Sequence, residues 1–170
     1  MKYLHRFVAV LVIASFALGV AGCNKDKALK TVRQADELAA KLLIYGRNIA
    51  KANNESFDKG NIPASVHLAT NTAVDHYLKG LDVFIAGIAT AKKAIEAGEN
   101  SQGQIDILQA VFDAQVAAAA TALVNIVTTL PPEVADKIQG WVAAIQLAIL
   151  SFRALFAEVR INLKAEVTHA

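Results

Sequence analysis

The chain has 170 residues, with one cysteine, three prolines and a formal net charge of +2. Lys2 and Arg6 account for that excess, and the rest of the chain carries equal numbers of acidic and basic side chains, so nucleic-acid binding is not expected. A single cysteine excludes an internal disulfide. A composition rich in alanine, leucine and isoleucine favours an all-α protein that is stabilised by packing.

The N-terminus has the order of a secretory signal peptide. Lys2 and Arg6 precede an apolar stretch from Phe7 to Leu18, and small residues then lead to Cys23. The stretch is shorter than the about 20 apolar residues that a membrane-spanning helix needs. We therefore predict that residues 1–22 are a cleaved signal peptide.

The residues at the predicted cleavage site, Val20, Ala21, Gly22 and Cys23, resemble the lipobox of bacterial lipoproteins. The resemblance implies that Cys23 receives a diacylglyceryl group and acyl chains such as palmitate, and becomes the first residue of the mature protein. Because two or three acyl chains hold a protein stably on a bilayer, we expect an anchored protein that does not span the membrane. The resemblance covers residues 1–23 only. The alternative, a secreted protein, leaves a lone thiol in an oxidising compartment.

The residues after Cys23 bear on location. Asn24 stands where an aspartate would resemble the inner-membrane retention signal of enteric-type sorting, so we favour the periplasmic face of the outer membrane, with the inner membrane as the alternative. Residues 23–25 are the predicted lipidated N-terminus and tether, and residues 26–170 the folded domain. A membrane-proximal basic cluster is predicted in which each cation adds about 1 kcal/mol on an anionic leaflet, the alternative being a solvated first helical turn. Its members are Lys25, Lys27, Lys30 and Arg33.

Three groups of helix-breaking residues divide the mature chain, at Asn53–Asn61, Gly98–Ser101 and Leu130–Pro132. They predict four helices near residues 26–53, 63–97, 102–129 and 132–166. Ser101 is the predicted cap of the third helix, in a capping box with Gln104. Short connections favour an antiparallel up-down four-helix bundle.

Apolar residues recur with heptad spacing in these segments. In the second helix they are Val74, Tyr77, Leu81, Phe84, Ile88, Ala91 and Ile95. In the fourth they are Val134, Ile138, Trp141, Ile145, Ala148, Phe152, Leu155 and Val159. The third helix offers Ile105, Leu108, Phe112, Ala119, Leu123, Ile126 and Leu130. The first is less regular, with Leu29, Val32, Leu38, Leu42, Leu43 and Ile49.

The fourth helix is apolar beyond this seam. A second row comprises Val142, Ile149, Phe156 and Leu163, and Leu147, Leu150 and Ile161 lie farther round. This surface could belong to the protein's own core, to a partner or a second copy, or to a membrane contact. A spanning hairpin of the third and fourth helices is disfavoured because Asp113 and Arg153 interrupt the two segments.

No pattern of residues indicates catalysis, a metal or another cofactor. His67 and His76 are nine residues apart and point to different sides of their helix, and no phosphate-binding or nucleophile motif occurs. We predict a non-enzymatic interaction module that binds an envelope protein or itself through apolar helix faces. The alternatives are a bundle that binds a small apolar ligand or lipid, and an envelope enzyme with an unrecognised site. The ligand cavity would lie near Tyr77, Phe84, Trp141 and Phe152.

Overall fold

The computed structural model describes residues 25–167, with side chains to Val159, and this part of the chain is helical without strands. The helices are α1 (Lys25–Asp58), α2 (Ala64–Glu96), α3 (Ser101–Val127) and α4 (Pro132–Val167). The all-α class and the four helices are thereby confirmed. The lipobox residues Val20, Ala21, Gly22 and Cys23 lie outside the described residues, as do the side chains of Ile161 and Leu163.

The helices pack mainly as neighbours around a ring. α1 contacts α2 and α4, α3 contacts the same two helices, and the first part of α3, Ser101–Val111, also touches α1. At one end of α1, Lys25 Nζ donates a hydrogen bond to the Glu96 carbonyl at 2.7 Å. Near the other end, Asn53 Nδ2 donates to the His67 carbonyl at 3.1 Å. One apolar core runs between the helices.

The heptad prediction is confirmed for α2 and most of α4. All seven predicted residues of α2 are buried, as are six of the eight in α4, with Trp141 and Leu155 partly buried. Three helices supply the aromatic centre, where the rings of Phe84, Phe112 and Phe152 lie 4.3 to 5.4 Å apart. α1 contributes mainly small residues, which lets it approach its neighbours closely. They are Ala28, Ala35, Ala39, Gly46 and Ala52.

The second apolar row of α4 is divided between core and surface. Val142 and Phe156 are buried, and Ile149 is partly buried. Leu147 and Leu150, which lie farther round the helix, are 65% and 60% exposed. The protein's own core therefore accounts for part of the excess apolar surface and leaves these two leucines uncovered.

The predicted loop at Asn53–Asn61 is wrong at its start, since α1 continues to Asp58. Asn53 and Ser56 face inward and find hydrogen-bond partners there, so these polar residues do not end the helix. Ser56 Oγ donates to the Ala52 carbonyl at 2.8 Å. The chain turns at Gly60, whose φ of 72° lies in the left-handed region that glycine adopts without strain.

The cap of α3 also differs from the prediction. Asn100, and not Ser101, is the N-cap residue, and its side chain accepts a hydrogen bond from the Gly103 amide at 3.1 Å. Asparagine is among the best N-cap residues because its oxygen satisfies an amide that the first helical turn leaves open. Ser101 lies inside the helix and is buried.

A π-helical turn at Phe112–Ala117 shifts the core face of α3. Ala119 and Ile126, predicted for the core, are only partly buried, whereas Val116, Ala120 and Val127 are buried. The wider turn accommodates one extra residue, so that the buried residues Phe112, Val116 and Ala120 follow one another at intervals of four. The surface of α3 is rotated accordingly beyond this turn.

Candidate functional site

The predicted basic residues occupy the first turns of α1 and are exposed. Lys27 and Lys30 line a cleft of about 250 Å³ between α1 and α4, next to Glu158. Arg33 lines a second cleft, of about 200 Å³, on the α2 side of the same helix. The four cations are therefore distributed around this end of the protein and do not converge on one point.

Acidic side chains accompany the cations at this end. Asp36 and Glu96 line the α1–α2 cleft together with Arg33 and Lys92, and Lys92 Nζ lies 4.0 Å from Glu96 Oε1. These exposed pairs contribute little to stability because water screens them. The end of the protein formed by the first turns of α1 and the last turns of α2 is thus polar and of mixed charge.

Near the end of α1, a polar cluster joins α1 to α2. Asn53 Nδ2 donates to the His67 carbonyl and to Asn71 Oδ1, at 3.1 and 2.9 Å. Asn71 Nδ2 donates to Asn54 Oδ1 at 2.9 Å. The His67 ring stacks on Phe57, with the ring centroids 4.2 Å apart.

The amide groups of this cluster have a consistent orientation. The His67 carbonyl only accepts, which fixes the orientation of the Asn53 amide and then, in turn, those of Asn71 and Asn54. His67 Nε2 lies 2.8 Å from Asn54 Oδ1 and 3.0 Å from Asn71 Nδ2, so it donates to the first in one tautomer and accepts from the second in the other. The cluster holds both helices in place.

Sequence reasoning missed this cluster, although the signal was present. The small and apolar residues of α1 continue in steps of three and four through Gly46, Ile49, Asn53 and Ser56. That spacing would have placed Asn53 on the core face. Asparagine was interpreted as a helix breaker, whereas here it is fully buried.

The outer surfaces of α3 and α4 form an almost uncharged face. Residues 107–132 contain one charged side chain, Asp113, and residues 138–157 contain only Arg153. We use the name "α3–α4 face" for their exposed small and apolar residues. These are Ala110, Ala114, Ala118 and Ala122 on α3, and Gly140, Ala143, Leu147, Leu150 and Ala154 on α4.

The two isolated charges are paired with each other. Arg153 Nε lies 3.4 Å from Asp113 Oδ1, across the boundary between α3 and α4. By length and composition alone, Ser101–Val127 and Pro132–Val159 are each apolar enough to cross a membrane. Within the 18-residue apolar segment of each helix, 33% and 28% respectively is buried inside the protein. Much of this apolar surface is therefore not used by the protein's own core.

The interior at the predicted ligand cavity is filled by aromatic rings. Tyr77, Phe84 and Phe152 are fully buried, and the Tyr77 hydroxyl donates to the Leu42 carbonyl at 3.3 Å. Burial raises the pKa of Tyr77 well above its ordinary value, so this hydroxyl stays protonated. Ring packing at this point favours a solid core over a ligand chamber.

The described part of the chain has no arrangement of side chains suited to a metal ion. No group of three or more histidine, cysteine, aspartate or glutamate side chains within residues 25–159 is arranged to hold a metal ion. His76 has no role in the polar cluster around His67, and Asp75, its neighbour, bonds to Lys79 at 2.6 Å. These contacts give no geometric support to the enzyme alternative.

Comparison with known proteins adds no family. No protein-family model, curated protein or solved structure matches this chain.

Proposed function

We propose that the protein is a bacterial envelope lipoprotein that works as a non-enzymatic interaction module. Acyl chains on Cys23 anchor it, with the periplasmic face of the outer membrane as the favoured location. The observation that carries the proposal is the short distance from the lipobox to the fold, since Lys25, two residues after Cys23, already lies in α1. So short a tether keeps the helices at the membrane surface and limits their reach.

The helices of this module form an antiparallel up-down bundle. Contacts between helix ends support that arrangement. The first turn of α1 contacts the last turn of α2 at Glu96. Asn53, near the C-terminal end of α1, contacts the first turns of α2 at His67. Leu155 and Val159 of α4 line the cleft beside the first turns of α1. Each such contact joins the early part of one helix to the late part of its neighbour.

Interaction is the function class that the surface supports best. Leu147 and Leu150 protrude from α4 on a face that lacks uncompensated charge, and exposed apolar patches commonly mark contact sites. The aromatic core, in contrast, leaves little reason to expect a ligand chamber between Phe84 and Phe152. An envelope protein, a second copy of the chain or the membrane surface would contact the apolar face.

The anchor is tested by expressing the full chain in a bacterial host as wild type, as Cys23→Ala and as Asn24→Ala. Wild type and Asn24→Ala are expected in the membrane fraction, with mass spectrometry showing acyl groups on an N-terminal Cys23. Cys23→Ala is expected to carry no acyl groups, and its molecules whose leader has been removed are expected to leave that fraction. An unmodified thiol on the processed wild-type terminus would overturn the lipoprotein proposal.

The location is tested separately with Asn24→Asp. In a host with enteric-type sorting, this substitution is expected to move the protein from the outer to the inner membrane while lipidation is unchanged. If wild type and Asn24→Asp were each found in both membranes in equal amounts, the proposed outer-membrane location would be contradicted, and the proposed anchor would be unaffected.

A further inference from the structure

We propose that the α3–α4 face rests on a phospholipid bilayer. This inference deepens the proposed function by naming what the apolar face contacts, and it requires no spanning helix. Leu147 and Leu150 would enter the boundary between head groups and acyl chains, while α1 and α2 face water.

The distribution of charge is the first argument. α1 carries charged side chains along its whole length, from Lys25 to Asp58, and α2 ends in Lys92, Lys93 and Glu96. α3 and α4 present only the Asp113–Arg153 pair over their central residues. The molecule thus has a strongly hydrated side and a side with little charge, as a protein lying on a membrane requires.

The contacts of the ion pair and of two hydroxyl groups on this side are the second argument. Arg153 and Asp113 neutralise each other, so neither brings a single uncompensated charge to the bilayer. The Ser151 hydroxyl donates to the Leu147 carbonyl at 2.9 Å, and the Thr121 hydroxyl donates to the Ala117 carbonyl at 3.0 Å. Because these hydroxyls are satisfied within their own helices, they lose no donor bond when water is removed.

The place where the chain leaves the fold is the third argument, and it favours a bilayer over a second protein. The residues that precede the described part of the chain join α1 at Lys25, and the neighbouring cleft brings Lys27 and Lys30 beside Leu155 and Val159 of α4. The proposed anchor on Cys23 is therefore beside the end of α4, the helix that carries Leu147 and Leu150. Acyl chains at this position would hold α4 close to the bilayer.

The test uses residues 24–170, which contain all four helices and the whole described core but no lipidation site. Wild type is compared with the double variant Leu147→Gln/Leu150→Gln and with Leu68→Gln, whose leucine is 68% exposed on α2. Glutamine preserves both net charge and helix propensity. Equal circular dichroism and unfolding midpoints establish that the three proteins are folded.

Binding is measured by flotation with vesicles of phosphatidylethanolamine and phosphatidylglycerol. Wild type and Leu68→Gln are expected to float with the vesicles. The double variant should bind more weakly by about tenfold for each leucine.

Three results would overturn the inference: no binding by wild type, equal loss in Leu68→Gln, or full binding by the double variant. Light scattering on the same samples identifies the competing occupant. A wild-type dimer that dissociates in the double variant, together with no vesicle binding, would assign the α3–α4 face to a second copy of the chain. Since Cys23 is absent from these proteins, neither outcome depends on the proposed anchor.

Discussion

Replacing Gly80 by alanine should destabilise the protein because α2 and α3 touch there through their backbones. A Cβ atom on Gly80 would collide with the Gln115 carbonyl oxygen, and it would lie 3.0 Å from the Gln115 carbonyl carbon. Backbone of the π turn would have to move, and such overpacking costs about 1–3 kcal/mol. Alanine recovers about 1 kcal/mol through its better helix propensity. With the full steric cost, the net loss is about 2 kcal/mol.

Two other helical glycines serve as matched controls. A Cβ on Gly140 meets no atom within 4 Å, and one on Gly87 makes an ordinary contact of 3.5 Å with Leu108 Cδ2. Gly140→Ala and Gly87→Ala keep the propensity gain without the collision, so each should be stabilised by about 0.5–1 kcal/mol. At Gly80 the added methyl group of alanine is expected to lower stability instead.

Thermal unfolding of residues 24–170 measures the difference. A loss of about 2 kcal/mol lowers the midpoint of a domain of this size by roughly 4–8 °C, and the controls should rise by a few degrees. If Gly80→Ala were as stable as Gly140→Ala, the close approach of α2 to the π turn would be refuted.

Three further substitutions test individual contacts. Tyr77→Phe should lower the free energy of unfolding by about 0.5–1.5 kcal/mol at neutral pH. Because burial raises the pKa of Tyr77, the stabilising effect of the Tyr77 hydroxyl is present below about pH 10 and is lost above it, by up to about 1.4 kcal/mol per pH unit. Denaturant titrations at rising pH should show this loss in wild type but not in the variant. Asn53→Ala should cost about 1–3 kcal/mol by leaving acceptors without a donor, and the exposed Asn54→Ala clearly less, as compared by thermal melting. A double-mutant cycle on Asp113 and Arg153 should give a coupling free energy below about 1 kcal/mol in water, since both side chains are about half exposed and water screens the pair. A coupling above about 2 kcal/mol would contradict this exposure.

The sequence predicted the number, class and main faces of the helices because their apolar spacing is local information. Val74 to Ile95 in α2 illustrates this, since every predicted position is buried. The boundaries at Pro132 and Gly98 were likewise marked by residues with strong backbone preferences. Such features need no knowledge of the neighbouring helices.

The failures arose where a neighbour decides the outcome. The π turn at Phe112–Ala117 lies against Gly80 of another helix, and no residue inside the turn signals it. The end of α1 was missed because the Asn53 Nδ2 group donates its hydrogen bonds to residues of α2. For the α3–α4 face, the sequence indicated excess apolar surface, but only the packing separated buried Phe156 from exposed Leu147.

The buried amide of Asn53 also has a consequence for how α1 is aligned along α2. The inward face of α1 repeats small residues at intervals of seven, such as Ala28 with Ala35 and Ala39 with Gly46, so a slippage by one heptad would preserve much of its packing. That slippage would separate the Asn53 amide from the His67 carbonyl and leave it among apolar groups. A single buried asparagine sets the register of coiled coils by the same penalty, and Asn53 gives an otherwise repetitive helix one favoured alignment.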